Sequence, residues 1–221
     1  MKWIAILSPA LLLGGCTLHS PMPLIAATDH PETAVPGDYT VYLATDAKGR
    51  RRLPKPKRAE CLDPGYFARD KDAQGKPQGK PERIYYCAYD PDQKKDLPTI
   101  ALFVEDGEYR MVGPEGEGVV RFRGWRGPLY LTQIDESRGD KPKFGYHFFR
   151  AASAGFEIFP LYCTYFPSFW KAPAEGTEEV PKGCEISSLE PVRAELDAAA
   201  GLVESGTDIP LLILRRKGGA R

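Results

Sequence analysis

The stretch that decides the fold is Phe144-Gly145-Tyr146-His147-Phe148-Phe149-Arg150. After Ala151-Ala152-Ser153-Ala154-Gly155 it is followed by Phe156-Glu157-Ile158-Phe159-Pro160-Leu161-Tyr162-Cys163. In an extended chain successive side chains point to opposite faces. Phe144, Tyr146 and Phe148 then share one face, and His147 and Phe149 take the other. In the second run Phe156, Ile158 and Tyr162 oppose Phe159 and Leu161. A half-exposed strand would alternate apolar with polar residues; apolar residues on both faces mean strands covered on both sides. The short linker makes the pair an antiparallel hairpin, and the centre of the sheet is placed here.

Working outward, further β-rich runs lie in close order. They are Tyr39–Ala44, Arg83–Tyr89, Thr99–Val104, Tyr109–Val112, Val119–Arg123, Leu129–Ile134 and Ile209–Leu214. Glu105-Asp106-Gly107-Glu108 predicts a tight hairpin, because Asp-Gly supplies the positive φ of a primed turn. Gly113 to Gly118 reads as a second turn, and Asp70–Pro81 and Asp135–Pro142 as polar loops. In Val119–Arg123 the alternation puts Val120 and Phe122 inward and Arg121 and Arg123 outward. One helix is predicted, Leu189–Leu202, with a capping box from Ser187 to Glu190, Ser188 beside it, and Pro191 in the first turn. Its apolar stripe is Leu189, Val192, Leu196, Ala199, Ala200 and Val203, with Arg193 and Asp197 paired on the outer face. The fold class is therefore mainly β: a single antiparallel β-sandwich or partly open barrel of about eight or nine strands with one C-terminal helix covering a face or mouth.

The N-terminus has a different character. Lys2 precedes an apolar run from Trp3 to Leu13, broken only by Ser8 and Pro9, and the run ends at Leu13-Gly14-Gly15-Cys16. The run is shorter than the roughly 20 apolar residues of a membrane span and reads as an export signal. Leu13–Cys16 resembles the lipobox of bacterial lipoproteins. The resemblance implies cleavage after Gly15 and lipidation of Cys16 by acyl chains such as palmitate, so residues 1–15 are a signal peptide. In enteric bacteria an Asp after the lipidated cysteine resembles an inner-membrane retention signal. Thr17 stands there instead and points to the outer membrane, facing the periplasm. Residues 16–36, with Pro21, Pro23, Pro31 and Pro36, read as a lipidated, extended tether, in which Leu24-Ile25-Ala26-Ala27 could dock. Residues 37–216 form the single β-rich domain and 217–221 a basic tail.

The chain of 221 residues is 42% hydrophobic and 11% aromatic, which fits a folded protein. Its net charge is zero, so no global field points to nucleic acid. The four cysteines Cys61, Cys87, Cys163 and Cys184 are an even number in an exported chain and are expected to pair. Three connectivities are open. Neighbour pairing closes the shortest loops and is favoured, at about 3–4 kcal/mol per bridge. No CxxC spacing occurs and the three histidines (His19, His30, His147) are scattered, so no metal and no cofactor is expected.

Lys48–Arg58 carries seven basic residues and no acidic one. It reads as a solvated edge strand or loop, blunted by Pro54, Pro56 and its lysines, with anionic headgroups or an acidic partner as the alternative. No catalytic residue is assigned. Ser153 connects two strands and forms no nucleophile elbow. His147 sits mid-strand among aromatics, and the acidic pairs (Glu105/Asp106, Glu115/Glu117, Asp135/Glu136, Glu178/Glu179) fall mostly at turns. Asp90–Asp96 lacks the ligands of a calcium loop. The candidate interaction loop is Tyr165, Phe166, Phe169 and Trp170, weighed against Phe166 and Trp170 folding back over the sheet edge as a minor core. The expectation is a non-enzymatic envelope lipoprotein, membrane-attached through its lipid, with a structural role or a protein partner in the envelope. A binding module for a small apolar or glycan ligand is the alternative, and a hydrolase ranks last.

Overall fold

The computed structural model describes residues 17–26, 29, 34–71, 77–90, 95–114, 116–137, 141–152, 155–168 and 184–218. Eight strands carry the fold: β1 Gly37–Thr45, β2 Thr99–Glu105, β3 Glu108–Gly113, β4 Gly116–Arg126, β5 Leu129–Asp135, β6 Phe144–Ala152, β7 Gly155–Pro160 and β8 Leu212–Arg216. Each pairs antiparallel with the next in chain order. β8 then returns to β1, with Leu212 opposite Leu43 and Arg216 opposite Tyr39. The sheet is thus antiparallel and of eight strands, as expected, and of the two expected arrangements it is the barrel, closed and up-and-down. Closure removes both edges, so β6 and β7 sit at no centre; the barrel has none.

The expected face assignment explains the closure. Phe149 and Phe156 point into the barrel, while Phe148 and Phe159 point outward into a second core. Inside, Phe122 is the hub: its ring lies 5.2 Å from Tyr109, 5.9 Å from Phe149 and 5.9 Å from Phe156. Such aromatic pairs stabilise by about 0.5–1.5 kcal/mol each beyond area burial. Asp106 (φ 51°) and Gly107 (φ 79°) form the primed turn between β2 and β3. The second turn is tighter than expected, since β3 runs to Gly113 and pairs it with Gly116 of β4.

The outer core over β5–β7 is covered by a 3₁₀ turn, Glu190–Val192, leading into a helix, Arg193–Glu204, which is α3 in chain order after the two short helices described below. All six stripe residues are buried. Burying Leu196 and Val203 alone contributes roughly 1.5–3 kcal/mol each. Two helix details differ from expectation. No side chain caps the helix, because the 3₁₀ turn displaces its start from Ser187 and Ser188. Asp197 turns inward to Trp125 and Arg126, accepting from Trp125 Nε1 at 3.1 Å and facing Arg126 at 3.0 Å. Arg193 stacks on the Trp125 ring instead of pairing with Asp197.

The expected tether is a strap on the barrel. His19–Ser20 pairs with Gly145 and Phe144 of β6, and Leu18 and Ile25 are buried in the outer core. Gln133 Oε1 accepts from the backbone N–H groups of Leu24 and Ile25, which supports docking of the Leu24–Ala27 cluster; Ala27 lies outside the described residues. Ala34 then folds into the barrel core before β1 begins. The prolines keep the strap extended, but spaced apolar residues and ladder hydrogen bonds hold it down.

The 46–98 connection also differs. The basic run forms two short helices, α1 Ala47–Arg52 and α2 Lys55–Ala59, not an edge strand. Asp46 caps α1 by accepting from the Gly49 N–H, and three arginines in its last turn suit the helix C-terminus. The run has no apolar alternation to hold a strand, and Leu53 between the helices is its buried anchor. The expected polar loop 70–81 lies partly in a hairpin of Phe67–Lys71 with Pro77–Arg83. Tyr85–Cys87 adds to β1 beside Leu43–Thr45, so the expected Arg83–Tyr89 strand breaks at Ile84.

Candidate functional site: the decorated rim of the barrel

The two ends of the barrel differ. At one end lie the tight turns at Asp106-Gly107 and Gly127-Pro128 and the paired ends of β6 and β7, Ala152 and Gly155. The other end carries the connections 46–98, 136–143 and 161–211, beside the tight β3–β4 turn. Every candidate residue that falls within the described residues belongs to that decorated rim or to the barrel wall just below it.

The strap starts there. Beyond Pro160, where β7 leaves β6, residues 17–20 take over its lane: Leu18 N–H donates to Leu161 O at 2.7 Å, and Tyr146 N–H to Leu18 O at 3.0 Å. On the far side His19 N–H donates to Cys184 O at 3.0 Å and Ile186 N–H to His19 O at 2.8 Å. The two neighbouring backbones are joined by the Cys163–Cys184 disulfide, Cα–Cα 5.4 Å. The second bridge, Cys61–Cys87, ties the end of α2 to the strand on β1. Neighbour pairing is therefore the observed connectivity.

Cys16 lies outside the described residues. Thr17 directly follows it and is 9% exposed, bridged to Tyr162. Of the candidate loop, Phe166 is fully buried in the outer core and Tyr165 donates to Asp208 Oδ2 at 3.1 Å. Burial, with Asp208 beside it, pushes the Tyr165 hydroxyl pKa up. Phe166 is thus core and Tyr165 is partly buried against it; Phe169 and Trp170 lie outside the described residues.

A polar cluster sits inside the rim. Thr132 and His147 are opposed on β5 and β6, at 0% and 5% exposure. His147 Nε2 stands 3.7 Å from Glu136 Oε1, and Lys143 Nζ 3.1 Å from Glu136 Oε2. Thr132 Oγ1 and His147 Nδ1 hydrogen-bond to no other described protein atom. Hydroxyl, imidazole and carboxylate are the parts of a relay, and here Thr132 is fully buried. Ser153 lies outside the described residues. Burial would raise the Glu136 pKa; His147 and then Lys143 together outweigh it and hold it at about 2. A carboxyl depressed in the fold stabilises above its unfolded pKa, near 4.5, and loses that stability as pH falls towards 2. Glu136→Gln is expected to remove roughly 3 kcal/mol at neutral pH and to flatten the stability curve between those two pH values. Urea unfolding across pH checks this; a parallel offset at every pH would refute the linkage.

Sequence reasoning missed a second cluster, on the outer wall. Arg150 Nε donates to Glu157 Oε2 at 2.6 Å, Tyr66 donates to Glu157 Oε1 at 2.9 Å, and Arg150 also donates to the Tyr66 oxygen. A further bond runs from Arg150 Nη1 to Val203 O at 3.3 Å. Burial first, then the Glu157 charge, raises the Tyr66 pKa. The cluster joins barrel, insertion and helix α3. Arg150 and Glu157 flank the hairpin and could have been paired from sequence, but nothing marked Tyr66, 84 residues from Arg150.

Around Phe122 the lumen is filled by side chains. A void of about 10 Å³ remains between Tyr39, Leu102, Phe122, Phe149, Phe156 and Leu214. No group of three or more His, Cys, Asp or Glu residues suited to a metal occurs among the described residues. Comparison with known protein families, characterised proteins and solved structures finds no match for this chain.

Proposed function

We propose that the protein is a lipid-anchored envelope lipoprotein that works through its outer surface, in a structural role or by binding another envelope protein. The observation that carries this reading is the filled barrel. The void between the aromatic side chains around Phe122 is about 10 Å³, whereas small-molecule sites run to roughly 300–1,000 Å³. The lipobox supplies the attachment, and two or three acyl chains make it stable. The outer face of β2–β4 is laced with cross-strand pairs, and the strap crosses it at β4, where Arg121 donates to Ile25 O and Asp29 N–H donates to Phe122 O. Arg110 meets Glu105 and Glu117, and Arg121 meets Glu108. Such exposed pairs contribute little stability, and they suit a solvated or polar-partner face.

The test is the mass of the N-terminal peptide together with fractionation of cells. The wild-type peptide is expected to begin at an acylated Cys16, and Cys16→Ala to leave the membrane fraction without mature acylated protein. An unmodified wild-type peptide, or one that begins upstream of Cys16, would overturn the reading. The second reading, a site for a small apolar or glycan ligand, rests on the aromatic density of the barrel. A ligand retained in native mass spectrometry would favour it.

A further inference from the structure

We infer that the decorated rim faces the bilayer, and that helices α1 and α2 dock on anionic lipid headgroups there. The inference rests on the lipid-anchor reading of Cys16 and deepens it by naming the side of the barrel that meets the membrane.

The register carries the placement. Leu43, near the end of β1, lies opposite Leu212 of β8, and Leu212 lies opposite Ile158 of β7. Residues 17–20 continue the β7 lane beyond Pro160. The start of the strap, Thr17–Leu18, and the start of α1 are therefore two strand lanes apart at one rim, roughly 10 Å at the usual lane spacing. A flexible tether would leave the barrel free to tumble over the membrane. The buried strap residues Thr17, Leu18 and Ser20 remove that freedom, and the acylated position directly adjoins a rigid body.

Charge supplies the complementarity. Neither α1 nor α2 buries a residue. Some of their cations are engaged: Lys57 pairs with Asp96 and Glu60, Arg50 stacks on Tyr85, and Arg58 donates to Leu53 O. Lys48, Arg51, Arg52 and Lys55 are exposed and form no ion pair among the described residues. Without the seven basic residues of this run, the chain from Cys16 onward holds 22 basic against 30 acidic side chains. The molecule is thus polarised, and an anionic surface attracts the end that bears α1 and α2.

The experiment uses the acylated protein reconstituted on vesicles, of phosphatidylcholine alone or with phosphatidylglycerol, and reads amide hydrogen exchange. Exchange in 47–59 is expected to slow roughly tenfold or more on the anionic vesicles, while the Asp106-Gly107 and Gly127-Pro128 hairpins stay unchanged. Added salt and the variant K48Q/R51Q/R52Q/K55Q are each expected to abolish the difference. These four side chains are exposed, so the variant keeps the fold. Equal exchange on both lipids, or protection centred on the opposite hairpins, would overturn the inference while the anchor reading stands. A missing acyl group in the same sample's N-terminal peptide would fail the anchor reading alone. Co-sedimentation of that unacylated protein then decides the surface: phosphatidylglycerol-selective binding supports it, and its absence overturns it.

Discussion

Gly155→Ala is expected to destabilise the barrel by about 3–5 kcal/mol, or to prevent its closure. Gly155 opens β7 and faces Arg215 across the β7–β8 seam. Its φ of +152° is one that L side chains rarely adopt. An added Cβ would stand 1.9 Å from the Leu214 carbonyl oxygen and 2.9 Å from its carbon. Both neighbours are backbone and cannot swing aside, so β7 and β8 would have to part, which opens the ring. A same-type control carries the opposite sign. Gly201 lies inside helix α3, and an added Cβ there would meet nothing within 4 Å, so Gly201→Ala is expected to stabilise by up to about 1 kcal/mol. Urea midpoints of the two variants should move in opposite directions. If both moved together by a similar amount, the seam argument would be wrong.

Phe122→Ala is expected to cost about 3–5 kcal/mol, a large share of the roughly 5–15 kcal/mol that holds a typical domain folded. Phe122 is 1% exposed and its ring contacts Tyr109, Tyr130, Phe149 and Phe156. These partners come from β3, β5, β6 and β7, so one truncation unpacks half of the barrel wall. The closed sheet cannot collapse onto the gap, because each strand is fixed on both sides by its ladder. The gap should therefore persist and take up xenon or benzene, as dry apolar cavities do. Thermal unfolding with and without benzene reads both effects. A loss under about 1 kcal/mol would show that the wall relaxes, contrary to this packing.

Much of the fold was legible because its signals are local. The Phe144–Cys163 hairpin showed apolar residues on both faces, and the structure uses both: Phe149 and Phe156 inside, Phe148 and Phe159 beneath helix α3. The Asp106-Gly107 turn and the stripe from Leu189 to Val203 were readable for the same reason. The strap was misread because proline content describes how a segment is extended, not whether it is held. Leu18 and Ile25 are too widely spaced to form a pattern, yet each finds a place in the outer core. The basic run reads as an edge strand or loop because its charges and prolines suit either, while the Asp46 cap that starts α1 is a single side chain. Glu136 and His147 were each noticed and set aside; eleven residues apart across a turn, they meet only because β5 and β6 bring the rim together.

Alternation, turn chemistry and helical spacing act over a few residues, so the sequence by itself determined the eight barrel strands within a few residues, the C-terminal helix and an even cysteine set. The tertiary structure alone decided that the sheet closes, which cysteines pair, that the strap is locked, and that α1 and the strap share a rim. Those depend on contacts such as Leu212 with Leu43 and Leu18 with Tyr146, 169 and 128 residues apart. Such pairings follow from the shared geometry of all eight strands, a property no short window of residues carries.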